Sequence, residues 1–135
     1  MSGPEDLDSP YQMMGGRAAV ERLAARFYQV MERDEPALAG VHRQSPDGGI
    51  DATVKERFAL FLVGWLGGPQ EYMERHGHPR LRMRHARVSV SIEMRDAWLR
   101  CMTRAMDECG ISGHLRAFLD QRFAEVANFL MNVPG

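Results

Sequence analysis

Long apolar runs are absent from this sequence: none approaches the roughly 20 residues that a membrane-spanning helix requires. No membrane association is therefore expected. Cysteine is scarce. Cys101 and Cys109 are the only two, too few for a disulfide framework, and helical spacing would keep them too far apart to bond to each other. Charge of one sign is not in excess either, with a formal net charge of −1 and a pI near 6.5. The broad basic surface of a nucleic-acid binder is missing, so no nucleic-acid partner is expected. The opening MSGPEDLDSP is polar and acidic, without the apolar core of a signal peptide. Internal repeats and low-complexity segments are lacking. These absences point to a reduced, cytoplasmic protein.

What remains is the composition of an ordinary globular domain, 44% apolar and 26% charged over 135 residues. Ten methionines are many for this length. Methionine fills irregular apolar gaps, as in a core shaped around an awkward object, although ordinary packing also accounts for it.

The periodicity is helical almost throughout. Ser9-Pro10 suits the start of a very short helix, and Gly15-Gly16 breaks it. Val20, Leu23, Ala24, Phe27, Val30 and Met31 then follow helical spacing. Gly40, Pro46, Gly48 and Gly49 mark residues 40–51 as a loop. Asp51 can cap a helix whose stripe is Val54, Phe58, Phe61, Leu62 and Trp65, ended by Gly67-Gly68-Pro69. Pro69 can open a short helix to about His76, and Pro79 another carrying Leu81 and His85. Val88-Ser89-Val90 alternates like a strand but is too short and lacks an obvious partner. Ser91 reads as the N-cap of a helix with the stripe Met94, Trp98, Cys101, Met102, Ala105 and Cys109, stopped by Gly110. A last helix, from about Gly113 to Met131, places Leu115, Phe118, Leu119, Val126, Phe129 and Leu130 on one face. The fold class is all-α.

Residues 76–85, HGHPRLRMRH, hold three of the five histidines. Zinc is one reading, through His76, His78 and His85. It is weak, because structural sites usually include cysteine and no scaffolded carboxylate is evident. A solvated basic face is the second reading, since Arg80, Arg84 and Arg87 share one side at helical spacing. The opposite flank carries Leu81 and His85. A histidine there is ordinarily a hydrogen-bonded core residue, but it can also be an axial ligand. Haem needs a fixed imidazole, a slot lined by aromatic and aliphatic groups, and cations for its propionates. Phe58, Phe61 and Leu62 offer such a wall.

The motifs carry a family resemblance. Gly15-Gly16, Arg26-Phe27-Tyr28, Trp65 with Gly67-Gly68-Pro69, the run Gly77 to His85, and Arg95-Asp96-Ala97-Trp98-Leu99-Arg100-Cys101-Met102 occur in the order and spacing of the truncated haemoglobins. Specifically, the chain resembles group II, the O type, over nearly all of residues 11–133. The resemblance implies a two-over-two helical sandwich, a shortened globin, with main helices at roughly 17–33, 51–66, 92–109 and 113–131. Residues 1–10 would be a flexible tail and 11–133 the globin domain.

The resemblance also implies a haem b cofactor, with His85 as the proximal iron ligand. Tyr28 and Trp98 match the family's distal hydrogen-bond donors, whereas without the family both read as core or boundary residues. His42 matches a position above the haem, with one extra residue just before it, and could donate or supply protons. Its alternative reading is an exposed loop histidine. Val54 falls at the distal gate and cannot hydrogen-bond a ligand. Phe27, Val54, Phe58, Phe61, Leu62 and Leu81 would line the pocket. Arg57, Arg84, Tyr72 and His78 are the candidates for the propionates. Arg87-Val88 departs from the Pro-Phe common in the family, which affects the exit from the proximal helix.

The expected function is binding of dioxygen and other small diatomic ligands. Two or three donors in a dry pocket slow ligand release, which fits chemistry on dioxygen better than simple oxygen transport. Nitric oxide oxidation or peroxide reduction would follow, each needing an external reductant. Ligand sensing through a partner and a non-haem helical interaction protein are the competing classes. A monomer or a homodimer fits the resemblance equally.

Overall fold

The structure is a computed structural model, and it describes residues 9–42, 44–78 and 90–130. The predicted proximal helix, with Leu81, Arg84 and His85, lies outside the described residues, as do residues 1–8 and Val88-Ser89. Among the described residues the chain forms seven helices. They are α1 (Pro10–Met14), α2 (Arg17–Asp34), α3 (Pro36–Ala39), α4 (Ala52–Trp65), α5 (Glu71–His76), α6 (Ile92–Glu108) and α7 (Gly113–Leu130). A lone bridge between Gln44 and Ile50 cinches the loop before α4.

The local chemistry explains the boundaries. Ser9 Oγ accepts from the Gln12 amide at 3.2 Å to cap α1. Asp51 Oδ1 accepts from Thr53 at 2.8 Å to cap α4, and Ser91 Oγ accepts from Met94 at 3.2 Å to cap α6. Pro36 ends α2 by holding Glu35 out of helical geometry, and then occupies the first turn of α3. α5 begins at Glu71 rather than Pro69. The Gln70 side chain reaches back to the carbonyls of Gly64 at 2.9 Å and Gly68 at 3.1 Å, so the residues before α5 serve the end of α4.

Two layers result. α2 lies against α4, α6 lies against α7, and α2 crosses α6 to join the layers. This is the two-over-two helical sandwich. α1 seats on the turn after α4. The Tyr11 amide donates to Leu66 at 2.8 Å, and the Tyr11 ring lies so close to Gly68 that a Cβ there would sit 2.6 Å from it. The second glycine of Gly67-Gly68 is thus needed for close approach.

The core runs along α2 and α6. Val20, Leu23, Ala24, Phe27, Val30 and Met31 are all buried, as their spacing predicted. They meet Cys101, Met102, Ala105 and Met106 of α6. Each large side chain removed from water here contributes roughly 1.5–3 kcal/mol. α7 departs from the expected pattern. Leu119, Phe123 and Ala127 form its buried face, while Phe118 is 47% and Phe129 53% exposed. The inward stripe is therefore rotated from the one predicted, because α7 is held by α6 on one flank and by the Trp65 ring of α4 against Phe123.

At the surface, arginines tie the end of α2 to α6. Arg33 and Arg104 both bind Asp34, and Arg100 forks onto Glu35 at 2.8 and 2.9 Å. The two arginines hold the Asp34 carboxyl at about 2, below the usual carboxylate range. These pairs are exposed, so they orient the helices more than they stabilise them.

Leu23→Ala is expected to lower stability by about 2–5 kcal/mol, because it opens a cavity at the α2–α6 crossing. Met73→Ala, at a half-exposed site on α5, should stay within about 0.5 kcal/mol. Denaturant unfolding followed by far-ultraviolet circular dichroism measures both.

Candidate haem pocket

α4 does not close fully onto α6 and α7. The space between them is a cavity of about 380 Å³ lined mainly by aromatic and aliphatic side chains, within the usual range for small-molecule sites. Val54, Phe58, Phe61, Leu62 and Trp65 of α4 form one wall. This is the stripe predicted for the helix, yet only Leu62 among them is fully buried. The others look onto the cavity. Phe58 and Phe61 are near-parallel at 6.5 Å, and Phe61 and Trp65 at 6.4 Å, so the wall is a row of ring faces. Opposite it stand Trp98 of α6 and Phe123, Val126 and Leu130 of α7.

Tyr28 and Trp98 reach this cavity from different helices and meet the same ring. Phe27 lies edge-on to Tyr28 at 5.2 Å and to Trp98 at 5.3 Å. Phe27 itself lies behind the wall rather than in it. Tyr28 is 4% exposed. Burial alone pushes its phenol far above the usual tyrosine range, which keeps the hydroxyl a proton donor at any ordinary pH.

His42 is set beside Tyr28, with ring centroids 5.9 Å apart and planes at 86°. Its Nδ1–H donates to the Leu38 carbonyl at 3.0 Å. A carbonyl can only accept, so in this bond Nδ1 carries the hydrogen. Gln44 holds the turn by donating to the carbonyls of Ala39 at 3.0 Å and His42 at 2.8 Å.

Arg57 and Tyr72 also line the cavity. Arg57 is exposed, so its guanidinium stands at the rim in contact with water. Tyr72 is buried, edge-on to Phe61 at 6.1 Å. His78 is exposed and is not part of the lining. Among the described residues, no group of three His, Cys, Asp or Glu side chains converges as metal ligands would. His76 instead packs on the Tyr72 ring at 5.1 Å.

Trp65, Phe123, Val126 and Leu130 line the cavity without having been singled out for it. Trp65, Val126 and Leu130 stood on predicted stripes, where a core position and a pocket position look alike. Phe123 was missed, although its spacing of four from Leu119 and from Ala127 carried the signal.

Residues 9–132 match the bacterial-like globin family. The group 2 truncated hemoglobin YjbI of Bacillus subtilis (strain 168) is 34% identical over 128 residues, 95% of this chain and 92% of that one. The chain belongs to the group II truncated haemoglobins. Among solved structures, the group II 2-on-2 hemoglobin of Agrobacterium tumefaciens superposes with a TM-score of 0.86 at 32% identity, covering all of both chains. The truncated oxygen-avid haemoglobin of Bacillus subtilis superposes with a TM-score of 0.79 at 35% identity, covering 93% of this chain and 100% of that one. A truncated haemoglobin is a haem globin, and the residues present suit the group. The cavity is mainly apolar, it is walled by ring faces, and an arginine stands at its rim.

Because the Tyr28 phenol holds its proton more tightly in the folded chain than the usual value near 10, folding is favoured fully below that pH and loses this contribution as pH rises through it. Between pH 9 and 11 the parent should lose more unfolding free energy than Tyr28→Phe. Chemical denaturation at the two pH values gives the comparison, and equal losses would contradict the burial of the phenol.

Proposed function

We propose that this truncated haemoglobin holds haem b through His85 and binds dioxygen and other small diatomic ligands. The observation that carries the reading is the convergence of Tyr28, Trp98 and His42 on one apolar cavity. The assignment of His85 rests on the resemblance of the Gly77–His85 run to the family's proximal motif. The haem, when bound, supplies an iron atom at which a diatomic ligand coordinates.

The chain's own residues would do the rest. Tyr28 donates its hydroxyl proton to a ligand carrying partial negative charge, and the Trp98 indole N–H is a second donor. Val54, Phe58 and Leu62 keep water from competing, which strengthens both bonds. His42 plays a different part. With Nδ1–H bonded to the Leu38 carbonyl and the ring beside Tyr28, it serves as a proton carrier rather than as an anchor for the ligand. Arg57 at the rim suits a haem carboxylate, since guanidinium can bind both oxygens. Tyr72 can add a hydroxyl. His78 and Arg84 remain propionate candidates on the resemblance alone.

A retained ligand beside a proton carrier favours chemistry on dioxygen, such as nitric oxide oxidation, or peroxide reduction, with an external reductant restoring the protein. The relative described as oxygen-avid supports tight binding.

Haem added to the purified chain should produce an intense Soret band, and His85→Ala should alter the ferrous spectrum. No Soret band would end this reading. Tyr28→Phe and Trp98→Phe should each speed dioxygen release by about fivefold, the equivalent of a neutral hydrogen bond of about 1 kcal/mol. Stopped-flow displacement measures that rate, and an unchanged rate in both variants would remove the distal roles. Nitric oxide consumption by the oxygenated protein should exceed the reaction in free solution, and a rate no faster would exclude the oxidation proposal.

A further inference from the structure

We propose that Trp98, Phe123 and Trp65 form a relay that carries electrons from a reductant at the surface to the cavity, so that the donor need not enter the pocket. The proposal rests on the peroxide chemistry above and names the place where its external reductant acts. The chain has two tryptophans, and both line the cavity, Trp98 from α6 and Trp65 from α4. The Phe123 ring of α7 touches both. It is edge-on to Trp98 at 5.8 Å and near-parallel to Trp65 at 5.2 Å. Three rings from three helices are thus in unbroken contact.

The two ends of this row differ. Trp98 borders the part of the cavity that Tyr28 and His42 also line. Trp65 is partly exposed, and the Arg122 guanidinium lies 5.4 Å over its ring on a side chain that is 43% exposed. The row therefore starts beside the ligand position and ends one side chain from water. Glu125 binds the same guanidinium, which offsets its charge where positive charge would form on the indole. An indole can give up an electron and keep its proton, with the charge spread over two fused rings. A phenol must shed its proton as well, and burial opposes that at Tyr28. Phe123 is not itself oxidised, and it keeps the two indoles in π contact.

In one turnover hydrogen peroxide takes up two electrons and two protons, its O–O bond breaks, and two waters leave. Each electron passes from Trp98 to the cavity, from Trp65 to Trp98, and from the surface donor to Trp65. Two molecules of a one-electron donor are oxidised for each peroxide.

The full chain carrying its haem is treated with hydrogen peroxide, without and then with ferrocyanide, an anionic one-electron donor too costly to desolvate in an apolar cavity. Without the donor the electrons come from the chain. Trp65 then loses two electrons, takes an oxygen atom from water and releases two protons, and peptide mass mapping should find that oxygen on Trp65. Trp98→Phe should abolish the addition, counted per peroxide consumed. The haem-free chain should be oxidised at the half-exposed Met13 and Met73 but not at Trp65. With ferrocyanide present, Trp65 should stay intact while two ferricyanides form per peroxide. Trp65→Phe should lose that ferrocyanide oxidation and shift the oxygen addition to Trp98, with its Soret band unchanged. Four results overturn the relay alone: an unmodified Trp65 in the parent, equal modification in Trp98→Phe, equal modification in the haem-free chain, or ferrocyanide oxidised as fast by Trp65→Phe. No consumption of peroxide by the parent overturns the peroxide reading and the relay with it.

Discussion

The contacts of the Phe27 ring are the ones on which the rest of this structure depends. The ring is 1% exposed where α2, α4 and α6 converge, and it meets Tyr28, Phe58 and Trp98 at 5.1–5.3 Å. Edge-on aromatic pairs add about 0.5–1.5 kcal/mol each beyond their buried area. Geometry matters more than the sum. Because Phe27 fills the junction, its three partners cannot collapse inward, and they border an open space instead. A smaller residue there would let the layers close and would uncouple the phenol of Tyr28 from the indole of Trp98.

That arrangement divides labour between the two layers. The α2–α6 crossing carries most of the dense core, built from Leu23, Met31, Met102 and their neighbours. The α4–α7 side is held by fewer contacts, chiefly Trp65 on Phe123 at 5.2 Å and the Arg122 guanidinium 5.4 Å over the Trp65 ring. Stability is concentrated on one side so that a cavity can exist on the other. Polar groups obey the same logic. The arginine pairs on Asp34, Glu35 and Glu108 lie outside, while the cavity lining is mainly apolar, with few polar side chains among it.

α7 connects the interior to the surface. Its inner face closes the cavity through Phe123, Val126 and Leu130, and its outer face carries Phe118, Glu125 and Phe129. Arg122 lies between the two, stacked on Trp65 and paired with Glu125.

Much of this was already written in the order of residues. Ser9, Asp51 and Ser91 are local caps that depend only on neighbours a few residues away, and each formed as its sequence context predicted. The α2 stripe was equally legible, because six apolar positions at helical spacing have one way to be buried together. Tyr28, Trp98 and His42 were picked out through the family's motifs, and all three line one cavity. Other features were decided only by tertiary structure. Apolar spacing cannot distinguish a core position from a cavity wall, so Trp65, Val126 and Leu130 took their meaning from what lies opposite them. The rotation of α7 that exposes Phe118 and Phe129 depends on where α6 and Trp65 meet it, a long-range contact with no local signature. The hydrogen bond that orients His42, from Nδ1 to the Leu38 carbonyl, exists only because the turn after α3 brings the two together. A side chain's chemistry is set by its own atoms, but which of its atoms remains available is set by the neighbours that folding brings to it.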